Sequence, residues 1–166
     1  MIGDYVLDGA RTRIGFEGKH TVGPRVRGRF DEFTGGAHLD SGDPARSSVE
    51  LTIRAASIQT RDHRRDRDLR RRFLDTANHP AITFVSTTVT PAGASRYTVT
   101  GDLTIRGVTR PVSVDFTLTG GGEAEARFTG SAAIDRTEWG VNWNAATGML
   151  VGKRVTLDFD VTAVSL

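Results

Sequence analysis

The stretch Tyr97-Thr98-Val99-Thr100-Gly101-Asp102-Leu103-Thr104-Ile105-Arg106-Gly107-Val108-Thr109-Arg110-Pro111-Val112-Ser113-Val114-Asp115-Phe116-Thr117-Leu118 is two alternating runs around a turn. Tyr97, Val99, Leu103 and Ile105 share one face, and Thr98, Thr100, Asp102 and Thr104 the other. After the turn, Val112, Val114, Phe116 and Leu118 oppose Ser113, Asp115 and Thr117. Alternation with a period of two predicts half-buried strands, because successive side chains of an extended chain point to opposite faces. Arg106-Gly107-Val108-Thr109 between them predicts a tight hairpin.

Working outward, the same pattern recurs. Val155, Leu157, Phe159, Val161 and Ala163 oppose Thr156, Asp158, Asp160 and Thr162, and Val49, Leu51 and Ile53 oppose Glu50, Thr52 and Arg54. Strand candidates also cover 11–20, 25–33, 81–89 and 125–135, giving eight or nine strands. Asp40-Ser41-Gly42-Asp43-Pro44 reads as a polar turn and Gly120-Gly121-Gly122 as a flexible connector. So many antiparallel strands must deal with their edges, and closure into a barrel removes edges altogether. The expectation is an all-β fold: a single closed antiparallel barrel spanning 1–166.

One segment breaks the alternation. Residues 61–72 carry seven arginines and few β-branched residues, which suits a short helical insertion around 61–74. Leu69 and Phe73 at i and i+4 give it a narrow apolar stripe. Thr60 or Asp62 is placed to cap its start. Asp66 is spaced to meet Arg70, and Asp68 to meet Arg71 and Arg72. Asn78-His79-Pro80 ends it, since a residue before proline is pushed out of helical backbone.

By parity the interior is apolar. Its candidates are Ile14, Phe16, Phe30, Phe33, Phe73, Ile82, Phe84, Leu103, Ile105, Phe116, Phe128, Ile134, Trp139, Trp143 and Phe159. Gly18, Gly28, Gly101 and Gly130 fall on inward positions in mid-strand. Such glycines mark either sharp bends in a packed barrel or room for something close by, and both readings stand at this point.

Composition narrows the chemistry. The chain has no cysteine, which removes disulfides, thiol catalysis and cysteine metal sites. His20, His38, His63 and His79 show no metal-ligand spacing, so no metal is expected. No Gly-x-Ser-x-Gly elbow or phosphate loop is present. No catalytic constellation is visible, and the chain reads as a non-enzyme. It has no run of ~18 apolar residues. The N-terminus lacks a secretory pattern, from which a cytoplasmic location is expected. Net charge is +2, so the basic character is local to 61–72 and nucleic acid is not expected as a partner.

Several blocks together resemble the YceI-like family. They are Phe16-x-x-Lys19-His20, Gly28-x-Phe30-x-x-Phe33-x-Gly35, Ser57-Ile58-Gln59-Thr60, Arg65-Asp66-x-x-Leu69, His79-Pro80-x-Ile82-Thr83-Phe84-x-Ser86, Gly101 to Pro111, Ile134-x-Arg136-x-x-x-Gly140 and Val151-Gly152-x-x-Val155. The resemblance runs from about Tyr5 to Ala163. It implies a lipocalin-like barrel of eight strands enclosing an amphiphilic lipid: a polyisoprenoid, an isoprenoid quinone or a fatty-acid-like chain. On that reading the inward residues above line an apolar tunnel, and the protein is a lipid carrier, store or sensor. No cofactor is required beyond a bound polyisoprenoid or isoprenoid quinone. Many relatives are periplasmic, and homodimers occur. The family usually has histidine where this chain has Asp68.

Headgroup candidates at the tunnel mouth are Arg13, Lys19, His20, Arg61 and Arg65, since arginine binds phosphate bidentately. The plainer reading of these arginines is a solvated face paired with Asp62, Asp66 and Asp68. The alternative function is binding of an anionic surface, as peripheral membrane contact or nucleic-acid binding, through 61–72.

Overall fold

The computed structural model describes residues 1–20, 25–142 and 151–166, without the side chains of residues 19, 20 and 151. Among the described residues, eleven strand segments follow in chain order: β1 (Ile2–Leu7), β2 (Arg13–His20), β3 (Val26–Phe30), β4 (Phe33–Asp40), β5 (Ser48–Arg54), β6 (Ile58–Gln59), β7 (Ala81–Gly93), β8 (Arg96–Ile105), β9 (Val108–Gly121), β10 (Glu125–Asp135) and β11 (Val151–Ser165). Hydrogen-bonded neighbours run β1-β4-β5-β7-β8-β9-β10-β11, and β11 pairs back onto β1. Eight antiparallel strands therefore close a ring, as alternation and edge physics require. β2, β3 and β6 lengthen the wall at one end, β2 pairing with β11 and β3, and β3 with β6.

β1 and β2 are two halves of one long strand along β11, interrupted by a 3-10 turn at Gly9–Arg11. That interruption corrects one expectation. Thr162 has outward parity, yet it is buried. Its carbonyl accepts from the Asp8 amide (2.9 Å), and its amide donates to Thr12 Oγ1 (3.1 Å). The turn folds over it.

β4 was not among the expected strands. Gly35-Gly36-Ala37 gives it no β-branched signal, yet it pairs with β1 and β5 over most of its length. The Arg106-Gly107 hairpin is tight, with φ of 51° and 74° at its two central residues, the twist-matched geometry for joining antiparallel strands. The triple glycine is no slack connector: β9 runs to Gly121, and the Gly122 amide donates to the Glu125 carbonyl at 2.8 Å.

Three of the four inward glycines, Gly28, Gly101 and Gly130, have a direct explanation. Phe16 pairs with Gly28 and Phe116 with Gly130 across adjacent strands. A β-carbon on Gly28 would lie 2.3 Å from the Phe16 ring, on Gly130 2.6 Å from Phe116, and on Gly101 2.6 Å from Phe84. Each glycine thus makes room for a ring lying against the barrel wall, so the room is taken by the protein's own aromatic side chains.

Gly130→Ala is expected to lower stability by ~1–3 kcal/mol, the cost of overpacking, because the Asp115 carbonyl (2.9 Å from the new methyl) also blocks relief. Gly120→Ala, with nothing within 4 Å, should change stability little. Urea denaturation of both variants checks this.

Candidate functional site

Rings laid flat on the wall leave the axis open. The barrel encloses a cavity of about 230 Å³. Its lining is almost wholly apolar: Ile14, Phe16, Phe30, Ile82, Phe84, Leu103, Ile105, Phe116, Phe128, Ile134 and Phe159 of the expected set all reach it. At one end Asp40, Ser41 and Ser47, on the turn between β4 and β5, form its polar edge. The expected polar turn is ordered there by Asp40, whose carboxylate accepts from the Gly42 and Asp43 amides, each at 3.0 Å.

The other end is floored by the insertion. A helix, α1 (His63–Asp68), continues into a π-helical turn over Leu69–Phe73, whose wide turn is closed by the Leu74 amide donating to the Leu69 carbonyl at 2.8 Å. Leu69, Phe73 and Leu74 are buried, and Leu69 and Leu74 line the cavity. Asp62 caps α1 by accepting from the Arg65 amide (3.1 Å), and this hydrogen bond holds its carboxyl below the usual range. Asp66 does not meet Arg70 as its spacing suggested. It is buried, and it accepts from both the amide and the hydroxyl of Thr60, tying the start of the insertion to the end of β6.

Two further residues brace this end. Arg106, from the β8–β9 hairpin, donates to the carbonyls of Phe73 (3.3 Å) and Gly140 (3.2 Å). Trp139 is 1% exposed, and its indole N–H donates to the Leu103 carbonyl at 2.9 Å. Arg136 also lines the cavity. Its guanidinium donates to the carbonyls of Val141 (2.7 Å) and Gly152 (3.1 Å). Burial pushes its pKa down, and the nearby Asp135 partly offsets this; an arginine still keeps its charge.

The remaining expected residues lie elsewhere. Phe33 packs against the core without reaching the cavity, because it begins a new strand after the break at Asp31-Glu32. Phe73 and Trp139 are buried in the plug at the insertion end and do not line the cavity. Trp143 lies outside the described residues, as do the side chains of Lys19 and His20. Arg13 is exposed on the outer face, opposite in parity to Ile14, and Arg61 is exposed ahead of α1. Arg65 is held by Thr60, donating to its hydroxyl (2.8 Å) and its carbonyl (2.9 Å). The arginines named as headgroup partners are therefore not assembled at the cavity. Residues missed by sequence include Leu74 and Arg136 at the floor, and Tyr5 and Leu39 toward the polar edge. Val99, Val114 and Leu51 also line it, and parity alone marked them as inward.

Comparison with known proteins bears on this architecture. The YceI-like domain model matches residues 5–163. A UPF0312 protein of Pseudomonas syringae pv. tomato is 31% identical over 170 residues, covering 98% of this chain and 85% of its own length. One from Shewanella denitrificans is 36% identical over 146 residues, covering 83% of this chain and 76% of its own. Among solved structures, Burkholderia cenocepacia BcnA is similar with a TM-score of 0.87 at 29% identity, over 95% of this chain and 99% of that one. A polyisoprenoid binding domain from Saccharophagus degradans matches with a TM-score of 0.79 over 100% of both chains. At 14% identity that likeness is one of fold.

Leu69→Ala should remove a buried floor residue, costing ~2–5 kcal/mol as large-to-small core changes do. Amide hydrogen exchange checks where the loss falls: protection should drop most over 63–74.

Proposed function

Because the chain belongs to the YceI-like domain family, we propose that its barrel holds the apolar chain of an amphiphilic lipid, as a carrier, store or sensor of that lipid. The observation that carries this reading is the apolar cavity along the barrel axis. A chain that fills this apolar lumen of about 230 Å³ gains ~0.8 kcal/mol per buried methylene, offset by the cost of ordering the chain. Little in the lining offers a hydrogen bond, so chain length and shape set the selection. A polyisoprenoid, an isoprenoid quinone and a fatty-acid-like chain all meet that requirement. The polar head belongs at the end edged by Asp40, Ser41 and Ser47, where polar groups border the cavity.

The Saccharophagus degradans domain of the same fold is a polyisoprenoid binding domain, which supports the same class of occupant. The test is solvent extraction of the purified protein followed by mass spectrometry. A long apolar chain should co-purify, and the delipidated protein should melt lower and recover when the chain is returned. Val99→Phe, which fills the lumen from the wall, should lose the lipid while melting no lower than delipidated wild type. A barrel that yields no lipid and whose melting no such chain shifts would overturn the reading.

A further inference from the structure

The insertion that floors the cavity carries a charge excess that the fold leaves uncompensated. Residues 61–72 hold seven arginines and three aspartates, a net of +4 in a chain whose total is +2. Elsewhere on the surface many arginines are paired: Arg11 with Asp8 and Glu125, Arg25 and Arg27 with Glu17, Arg29 with Asp31, Arg46 with Asp43, Arg54 with Glu32, Arg127 with Glu125. The exposed arginines outside ion pairs there, Arg13, Arg96, Arg110 and Arg154, are scattered along the chain and not clustered on one element. Among the described residues no arginine of the insertion is in an ion pair. Segments 21–24 and 143–150 contain no carboxylate that could supply one.

The three aspartates offset only part of this charge, Asp62 acting on the neighbouring Arg64 and Arg65. Asp62 is engaged in capping, Asp66 is buried against Thr60, and Asp68 is half-buried. Arg65 is bound by Thr60, and Arg70 borders a groove with Asp31 and Glu32. Arg64, Arg67, Arg71 and Arg72 are exposed. The first three, at i, i+3 and i+7, lie on the side of the helix away from buried Asp66, Leu69 and Phe73.

We propose that this face docks the barrel onto a bilayer surface rich in anionic phospholipid. This rests on the lipid-holding reading and names the surface against which the barrel sits, with the floored end toward the bilayer and the polar edge of the cavity at the opposite end. Basic residues beside an anionic leaflet each add attraction that decays within a Debye length. The insertion presents arginines outward and Leu69 and Leu74 to the cavity, so one element separates headgroups from the lumen. Nucleic acid fits less well, since no aromatic residue interrupts the arginines of 61–72 to stack on bases.

The test is sedimentation of the full chain with phosphatidylcholine vesicles, with and without phosphatidylglycerol, across rising salt. Binding should require phosphatidylglycerol and weaken steeply with salt. Arg64→Ala/Arg67→Ala/Arg71→Ala should lose on the order of a hundredfold in affinity, and the corresponding triple lysine variant should retain most of it. Equal binding to neutral vesicles, no binding to anionic ones at low salt, or an unaffected alanine variant would each overturn the proposal. So would displacement by a polynucleotide at lower concentration than by free anionic vesicles, which would assign the face to nucleic acid. Cavity occupancy, read by mass spectrometry on the same preparations, separates the two readings. A filled barrel that ignores anionic vesicles sinks the docking face alone, and an empty barrel that still binds them sinks the cavity reading.

Discussion

The hollow in this barrel depends on phenylalanine rings lying against glycines of the neighbouring strand. Phe16 over Gly28, Phe116 over Gly130 and Phe84 over Gly101 are rings that any β-carbon would displace toward the axis. An eight-stranded barrel has an interior that side chains are just able to fill. With larger residues opposite these rings, the lumen would close into an ordinary core. Register is part of the same constraint. Phe16 meets Gly28, and Phe116 meets Gly130, only in the observed pairing, and a slip of one residue would turn both rings to the solvent face.

A lumen also needs an end. The insertion end is sealed by parts drawn from three places in the chain: the apolar face of the insertion, the β8–β9 hairpin through Arg106, and the segment after β10 through Trp139 and Arg136. Most of these tethers run from a side-chain N–H to a backbone carbonyl. Such contacts satisfy carbonyls that irregular segments would otherwise leave buried and unpaired. The plug is therefore polar in its fastening and apolar only where it meets the cavity.

Much of the fold was legible because strand periodicity reports facing directly. Val99, Leu103, Val114 and Ile134 are inward for the reason their parity gives. The exceptions each have a local cause. β4 was silent because Gly35 and Gly36 carry no side chain to alternate, although Gly35 has no space for one: a β-carbon there would lie 2.8 Å from Leu7. Thr162 was misplaced because a 3-10 turn covers an outer face. The site was less legible. Parity says which residues point inward but not how far along the axis they sit, and so it could not separate Phe116, which lines the cavity, from Phe73 and Trp139, which close it. Helical spacing likewise set Asp66 against Arg70, while burial gave Asp66 to Thr60, whose amide and hydroxyl together outcompete a partner near solvent.

That last substitution has a consequence for the whole end of the molecule. An exposed i,i+4 carboxylate–arginine pair is worth only ~0.3–0.5 kcal/mol, whereas a buried carboxylate without hydrogen bonds would be costly. The fold therefore spends Asp66 on anchoring the insertion. Asp62 is likewise drawn into capping the helix that the anchoring creates. Asp66 makes its hydrogen bonds inside the fold, whereas Asp62 keeps its charge at the surface beside Arg64 and Arg65. The positive face outside and the apolar floor inside thus arise from one set of local choices. Asp68, half-buried between Arg67 and Leu69 in the chain, adds a second carboxylate to Asp62 on that side of the insertion.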